Sequence, residues 1–123
     1  MLMLLWVGLG SALGGMARFL LGGWMQRASP GFPWMTMLIN VSGSFLLGMI
    51  MRNSGGASMR PETRAFFAIG ICGGYTTFST FSYETMMLLR DGQWWRAASY
   101  ALASVVLSLL AVFAGFAVTR PVA

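Results

Sequence analysis

Four long apolar stretches, separated by turns too short to hold a domain, leave this chain little choice of fold. They cover about residues 3–24, 34–51, 65–89 and 94–118. A helix needs about 20 mostly apolar residues to cross the hydrocarbon core of a bilayer. In lipid, only helices and closed barrels satisfy their own backbone polar groups. Each stretch is long enough for one crossing, so the sequence predicts an all-α integral membrane protein with four transmembrane helices in a single domain, 1–123. Four crossings take up most of the 123 residues and leave no room for a soluble domain. Only 9% of the residues are charged, against roughly 25% in soluble domains. The apolar N-terminus has no basic leader and runs through Gly and Arg into more apolar sequence, so it reads as the first span rather than a signal peptide.

The eight basic residues are all arginine, and the net charge is +5 with no histidine. They stand singly near segment ends, where juxtamembrane cations belong, and not in a nucleic-acid-binding patch. With four spans, both termini share one side. That side carries Arg52, Arg60, Arg64 and Arg120; the other carries Arg27, Arg90 and Arg96, with Arg18 inside the first span. Since arginine asymmetry sets orientation, this near balance predicts dual topology, with antiparallel pairing of copies. Four short helices cannot enclose a wide polar cavity alone, so a two-fold homodimer is expected. Cys72 is the one cysteine, which rules out an intrachain disulfide and a Cys/His metal site.

Polar residues interrupt every span. In the first, Gly10, Ser11, Gly14, Gly15 and Ala17 offer a small-residue face for close helix packing. Arg18 either snorkels to the interface or faces a water-filled vestibule that attracts anions. Pro30-Gly31 and Pro33 mark the first turn. The second span carries Asn40, Ser42, Gly43, Ser44 and Gly48. An amide such as Asn40 is costly in an apolar helix unless hydrogen-bonded, so it either joins helices or lines a polar path. Gly55-Gly56 marks a turn before Pro61-Glu62, a helix start. In the fourth span, Trp94 and Trp95 sit where an aromatic belt would. Tyr100, Ser104 and Ser108 recur every four residues and share one face, for packing or for a polar track.

The third span holds the densest polar run, Gly73-Gly74-Tyr75-Thr76-Thr77-Phe78-Ser79-Thr80-Phe81-Ser82-Tyr83-Glu84. The two glycines weaken a helix, so a break is expected at Gly73–Thr76. A broken helix frees carbonyls, which need water, a neighbouring chain or a cation. If helix resumes, Phe78 and Phe81 share a face with Ser82 close by. Phenyl ring edges are electropositive, so two of them among hydroxyl and amide donors suit a small anion, although the same spacing serves plain packing. No histidine, carboxylate pair or phosphate loop is present, so no enzyme is expected.

This run closely resembles the GGxTTFSTFSxE signature of the Fluc (CrcB) fluoride channels. Gly14-Gly15-Met16-Ala17-Arg18-Phe19 is similar to that family's GGxxR(Y/F), and Asn40 with Gly43 to its NxxG. The resemblance spans essentially the whole chain. It implies a dual-topology antiparallel homodimer with two pores that exports fluoride passively across the bacterial cytoplasmic (inner) membrane. It implies pore phenylalanines at Phe78 and Phe81, with Asn40 donating to fluoride. Thr80, Ser82 and Glu84, with Tyr100, Ser104 and Ser108, would extend a polar track, and Arg18 would be the vestibule arginine. A structural sodium ion at the dimer interface would be held by the backbone carbonyls of Gly73 and Thr76. The rival is a small dual-topology proton-coupled multidrug transporter, which needs an acid in the first span. The first span has an arginine instead. A structural subunit without transport activity is a third possibility, disfavoured by the polarity of the third span.

Overall fold

The computed structural model describes residues 1–26, 31–54 and 59–120. Arg27, Pro30, the Gly55-Gly56 turn and Pro121 lie outside them. The described residues form helices α1 (Leu2–Gln26), α2 (Trp34–Ser54) and α3 (Pro61–Arg64), a π-helical segment (Ala65–Cys72), then α4 (Gly73–Tyr75), α5 (Phe78–Arg90) and α6 (Trp94–Val118). No strand occurs among them. Three helices are long and apolar enough to cross a membrane, over Leu2–Gly23, Trp34–Ser54 and Trp94–Val118. Their outer faces carry bare apolar side chains such as Phe19, Leu102 and Phe113, the last 71% exposed. Water would not tolerate such a surface, and lipid would.

The stretch from Pro61 to Arg90 is a series of shorter segments. Pro61 opens α3 at its first position, where the missing N–H costs nothing. The π-helical segment and α4 follow without interruption. The backbone is then extended at Thr76 (φ −79°, ψ 155°) and Thr77 (φ −151°, ψ 118°). Thr77 caps α5, its Oγ1 accepting from the Thr80 N–H at 3.3 Å. Helix α5 ends at a tight turn in which Gly92 takes φ +74°, a conformation open to glycine at little cost. That turn sends α6 back alongside α5.

The sequence expectation placed the interruption at Gly73–Thr76. The structure puts it at the end of that stretch and one residue beyond: Gly73–Tyr75 is helical, and Thr76 and Thr77 are extended. The reason lies in packing. Helix α1 crosses the π-helical segment and α4 so closely that a Cβ on Gly74 would meet the Ser11 carbonyl, and one on Gly14 the carbonyl of Ile71 and the N–H of Tyr75. Gly10 and Gly70 oppose each other in the same way. The spacing of four in both partners is the small-residue crossing of membrane helices, where packing rather than water drives association. Gly48 of α2 and Gly115 of α6 make a second such crossing, each against the other helix's backbone.

The molecule is therefore two helix pairs, α1 with the π-helical segment and α4, and α2 with α6. Helix α5 completes the second pair. Met37, Leu88, Ala97 and Tyr100 form the buried core there, with Phe32, Val41, Phe81 and Ala103 packed around it. Of the first-span small face expected from sequence, Gly10 and Gly14 are buried in the crossing. Gly15 has no neighbour within 4 Å of a would-be Cβ, and Ala17 is exposed.

Adjacent glycines thus make a clean comparison. Gly14→Ala should lower thermal stability in detergent by about 1–3 kcal/mol through overpacking. Gly15→Ala should be neutral or stabilise by up to about 1 kcal/mol through helix propensity. Equal losses from both would refute the crossing.

Candidate functional site at the extended threonines

The extended pair Thr76–Thr77 interrupts helical hydrogen bonding, and three side chains take over the freed groups. Asn40 on α2 grips Thr77 twice: its Nδ2 donates to the Thr77 carbonyl (3.1 Å), and the Thr77 N–H donates to its Oδ1 (2.8 Å). The amide imitates a peptide group of a neighbouring strand. One N–H of the Asn40 amide is thereby used, and the amide has a second to give. Thr77 Oγ1 takes the Thr80 N–H and donates to Thr80 Oγ1 at 3.2 Å. From α1, Arg18 Nε donates to the Gly74 carbonyl at 3.2 Å.

These substitutions decide which carbonyls stay free. In an unbroken helix, the N–H groups of Thr77 and Thr80 would go to the carbonyls of Gly73 and Thr76. They go to Asn40 and to Thr77 Oγ1 instead. The two carbonyls that sequence reasoning nominated for a cation are thus released. The Gly74 carbonyl between them is occupied by Arg18. Gly73 is exposed, with nothing within 4 Å of a would-be Cβ, so this turn of backbone has an open face. No group of three or more His, Cys, Asp or Glu side chains gathers among the described residues. Backbone oxygen is the donor set that remains for a hard cation.

Beside the extended pair, α2 and α6 frame a cleft of about 330 Å³. It brings together Asn40, Phe78, Phe81, Ser104 and Ser108, and its wall includes Gly73, Thr76 and Thr77. The rings of Phe78 and Phe81 lie 5.5 Å apart, tilted by 45°. Phe81 continues to Tyr100 at 5.2 Å, and Tyr100 meets Phe32 edge-on at 5.6 Å. Phe78 stands 77% exposed on this chain. Ser104 is 5% exposed, yet its Oγ has no hydrogen-bond partner. Among the described residues, one other buried side-chain polar atom shares that condition, Nε of Arg52, whose guanidinium lies over the Phe116 ring at 4.7 Å. A buried hydroxyl without a partner costs about 1–3 kcal/mol, and Ser104 is one of the residues that line the cleft.

Other nominated residues lie outside the cleft. Glu84 joins three helices: its Oε1 accepts from Thr36 Oγ1 of α2 (2.8 Å) and its Oε2 from Tyr100 Oη of α6 (2.7 Å). Tyr100 is completely buried. Ser82 is exposed and donates to the Phe78 carbonyl within its own helix at 2.9 Å. Thr80 takes part in the cap of α5, and Arg18 reaches the other side of the extended pair.

Sequence reasoning missed Thr36, which is buried on Glu84. A signal was present: Thr36, Asn40 and Ser44 recur every four residues on α2, as Tyr100, Ser104 and Ser108 do on α6. It missed as well the Ser42 hydroxyl paired with Tyr75 Oη at 2.9 Å. That bond holds the Tyr75 ring against Gly43.

An all-helical chain with three apolar helices of membrane-crossing length, polar along the inner faces of α2 and α6, defines a multi-pass membrane protein. Residues 5–116 match the family model described as CrcB-like protein, Camphor Resistance (CrcB). The chain is 51% identical over 121 residues to the fluoride-specific ion channel FluC of Rhizobium meliloti, covering 95% of each. To a protein of the same name from Thermus thermophilus it is 46% identical over 111 residues, 89% of this chain and 87% of the relative. To that of Methylocella silvestris it is 48% identical over 118 residues, 93% and 90% of the two chains. The chain belongs to the CrcB-like family, as the GGYTTFSTFSYE run implies.

The Asn40 grip is testable apart from transport. Asn40→Asp keeps an acceptor for the Thr77 N–H but sets an oxygen against the Thr77 carbonyl. It should cost about 1–3 kcal/mol of thermal stability in detergent. An Asp variant as stable as the parent would show that the grip carries no weight.

Proposed function

We propose that this chain is a fluoride-selective ion channel that lets fluoride leave the cell passively across the bacterial cytoplasmic membrane. The observation that carries the reading is a cleft lined together by Asn40, the rings of Phe78 and Phe81, and Ser104, whose buried hydroxyl has no partner within the chain. The names of the relatives support it. Fluoride is small and holds its water tightly, so a narrow path must replace that water with close donors. Hydroxyls, an amide and electropositive ring edges do so without a full positive charge that would trap the ion. Chloride is larger and is disfavoured by a path walled with rings. The work is conduction, with no bond made or broken, so the protein is not an enzyme.

The functional unit in this reading is an antiparallel homodimer with two pores. The near-even division of arginines supports dual topology. The exposed Phe78 ring and the open face at Gly73 give each chain a surface for its partner. The extended threonines then lie near mid-membrane, where freed carbonyls must find a partner. Two carbonyls per chain, from Gly73 and Thr76, supply four oxygens across the two-fold axis for a sodium ion, which neutralises the oxygens brought together there and joins the two copies. Glu84, Tyr100, Thr80 and Ser82 extend the polar track beyond the rings, and Ser108 belongs to the cleft beside them. The proton-coupled multidrug transporter finds no support, since α1 has no carboxylate.

Liposomes holding the purified protein should release fluoride rapidly and chloride far more slowly. Phe81→Ile should slow fluoride release by roughly tenfold, the loss of about 1.4 kcal/mol of barrier stabilisation. No fluoride release from the parent, or full release from Phe81→Ile, overturns the proposal. Replacing all sodium with a bulky organic cation should abolish fluoride release, and chloride should not begin to pass. Release that persists without sodium removes the ion from the reading.

A further inference from the structure

Arg18 does more in this fold than face a vestibule. Gly10, Gly14 and Arg18 recur every four residues on α1 and lie on one stripe of that helix. The two glycines bring its backbone against the π-helical segment and α4. The third position therefore arrives beside the end of α4, and Arg18 Nε meets the Gly74 carbonyl. That carbonyl sits between the two released ones, Gly73 and Thr76. We infer that Arg18 is a positioning residue for the cation site: it occupies the Gly74 carbonyl, so that Gly73 and Thr76 alone present oxygen to the ion.

The inference rests on the reading of Gly73 and Thr76 as sodium donors. Without Arg18, the Gly74 oxygen would lose the side-chain donor that reaches it. The end of α4 would then turn to satisfy it, and the spacing of its neighbours would change. Two effects of the side chain oppose each other. Its charge repels a nearby cation, while its hydrogen bond holds the donors in register. Arg18 is half-buried, and where water reaches its side chain the repulsion is screened. The bond to a backbone oxygen is short-range and is not screened in that way. The positioning effect therefore sets the sign: loss of Arg18 weakens sodium binding.

The experiment uses the full chain. Thermal stability in detergent and fluoride release from liposomes are each followed while sodium is titrated against an organic cation, for the parent, Arg18→Gln and Arg18→Lys. Arg18→Gln should move both sodium midpoints upward by roughly tenfold, the equivalent of one lost hydrogen bond to a charged group. Arg18→Lys, which keeps N–H donors and charge but not the planar fork, should shift them less. Unmoved midpoints, with release lowered at every sodium concentration, would assign Arg18 to the anion route alone and overturn the inference. Midpoints shifted to lower sodium would overturn it too, since repulsion would then dominate. If Arg18→Gln does not fold, the Lys variant decides by the same criterion. A parent that ignores sodium in both assays removes the sodium reading, and this inference with it. A responsive parent with unshifted variants removes Arg18 only.

Discussion

The polar contacts around Thr76 and Thr77 follow from one requirement: where a backbone leaves helical geometry among apolar neighbours, each N–H and C=O must still find a partner. At Thr76 and Thr77 the helix gives way, and Asn40, Thr77 Oγ1 and Arg18 supply what it no longer does. These side chains come from α2, the extended pair itself and α1, so the same bonds that repair the backbone tie together the two helix pairs. Two carbonyls, those of Gly73 and Thr76, are released as a by-product. What looks like a defect in one segment is a junction for the whole fold.

The rings and the carboxylate beside it are held with little freedom. Glu84 is fixed at both oxygens, by Thr36 and Tyr100, and Tyr100 is wedged against Phe81 and Phe32. Phe81 is therefore oriented by a neighbour that itself cannot turn without breaking a bond. Phe78 has no such support within the chain. A rigid ring and a bare one, one helical turn apart, give the two sides of the cleft different tolerances for change.

The helical class and the membrane setting are legible in the sequence because burial in lipid is written as length and hydropathy, which one chain displays fully. The Gly73–Thr76 region is legible as irregular, yet the assignment within it is not. A glycine serves either to bend a backbone or to let another backbone come near, and only the partner decides. Here Ser11 of α1 decides for Gly74. The extended residues proved to be β-branched threonines, whose natural preference is for extended backbone. Thr36 went unnoticed because a lone threonine in an apolar helix commonly bonds its own backbone. Its true partner, Glu84, lies 48 residues away.

The pairing of segments has a bearing on how the chain is made. Helix α2 packs chiefly on α6, and α1 chiefly on the segments after α3, so each of the two long helices made first finds its main partner later in the chain. The first two long helices share far less contact with each other than with those later partners. As the ribosome advances, α2 enters the bilayer carrying Thr36, Asn40 and Gly48 with none of their eventual contacts yet synthesised. Biogenesis is thus the stage at which the polar groups that serve the mature protein are most exposed to loss.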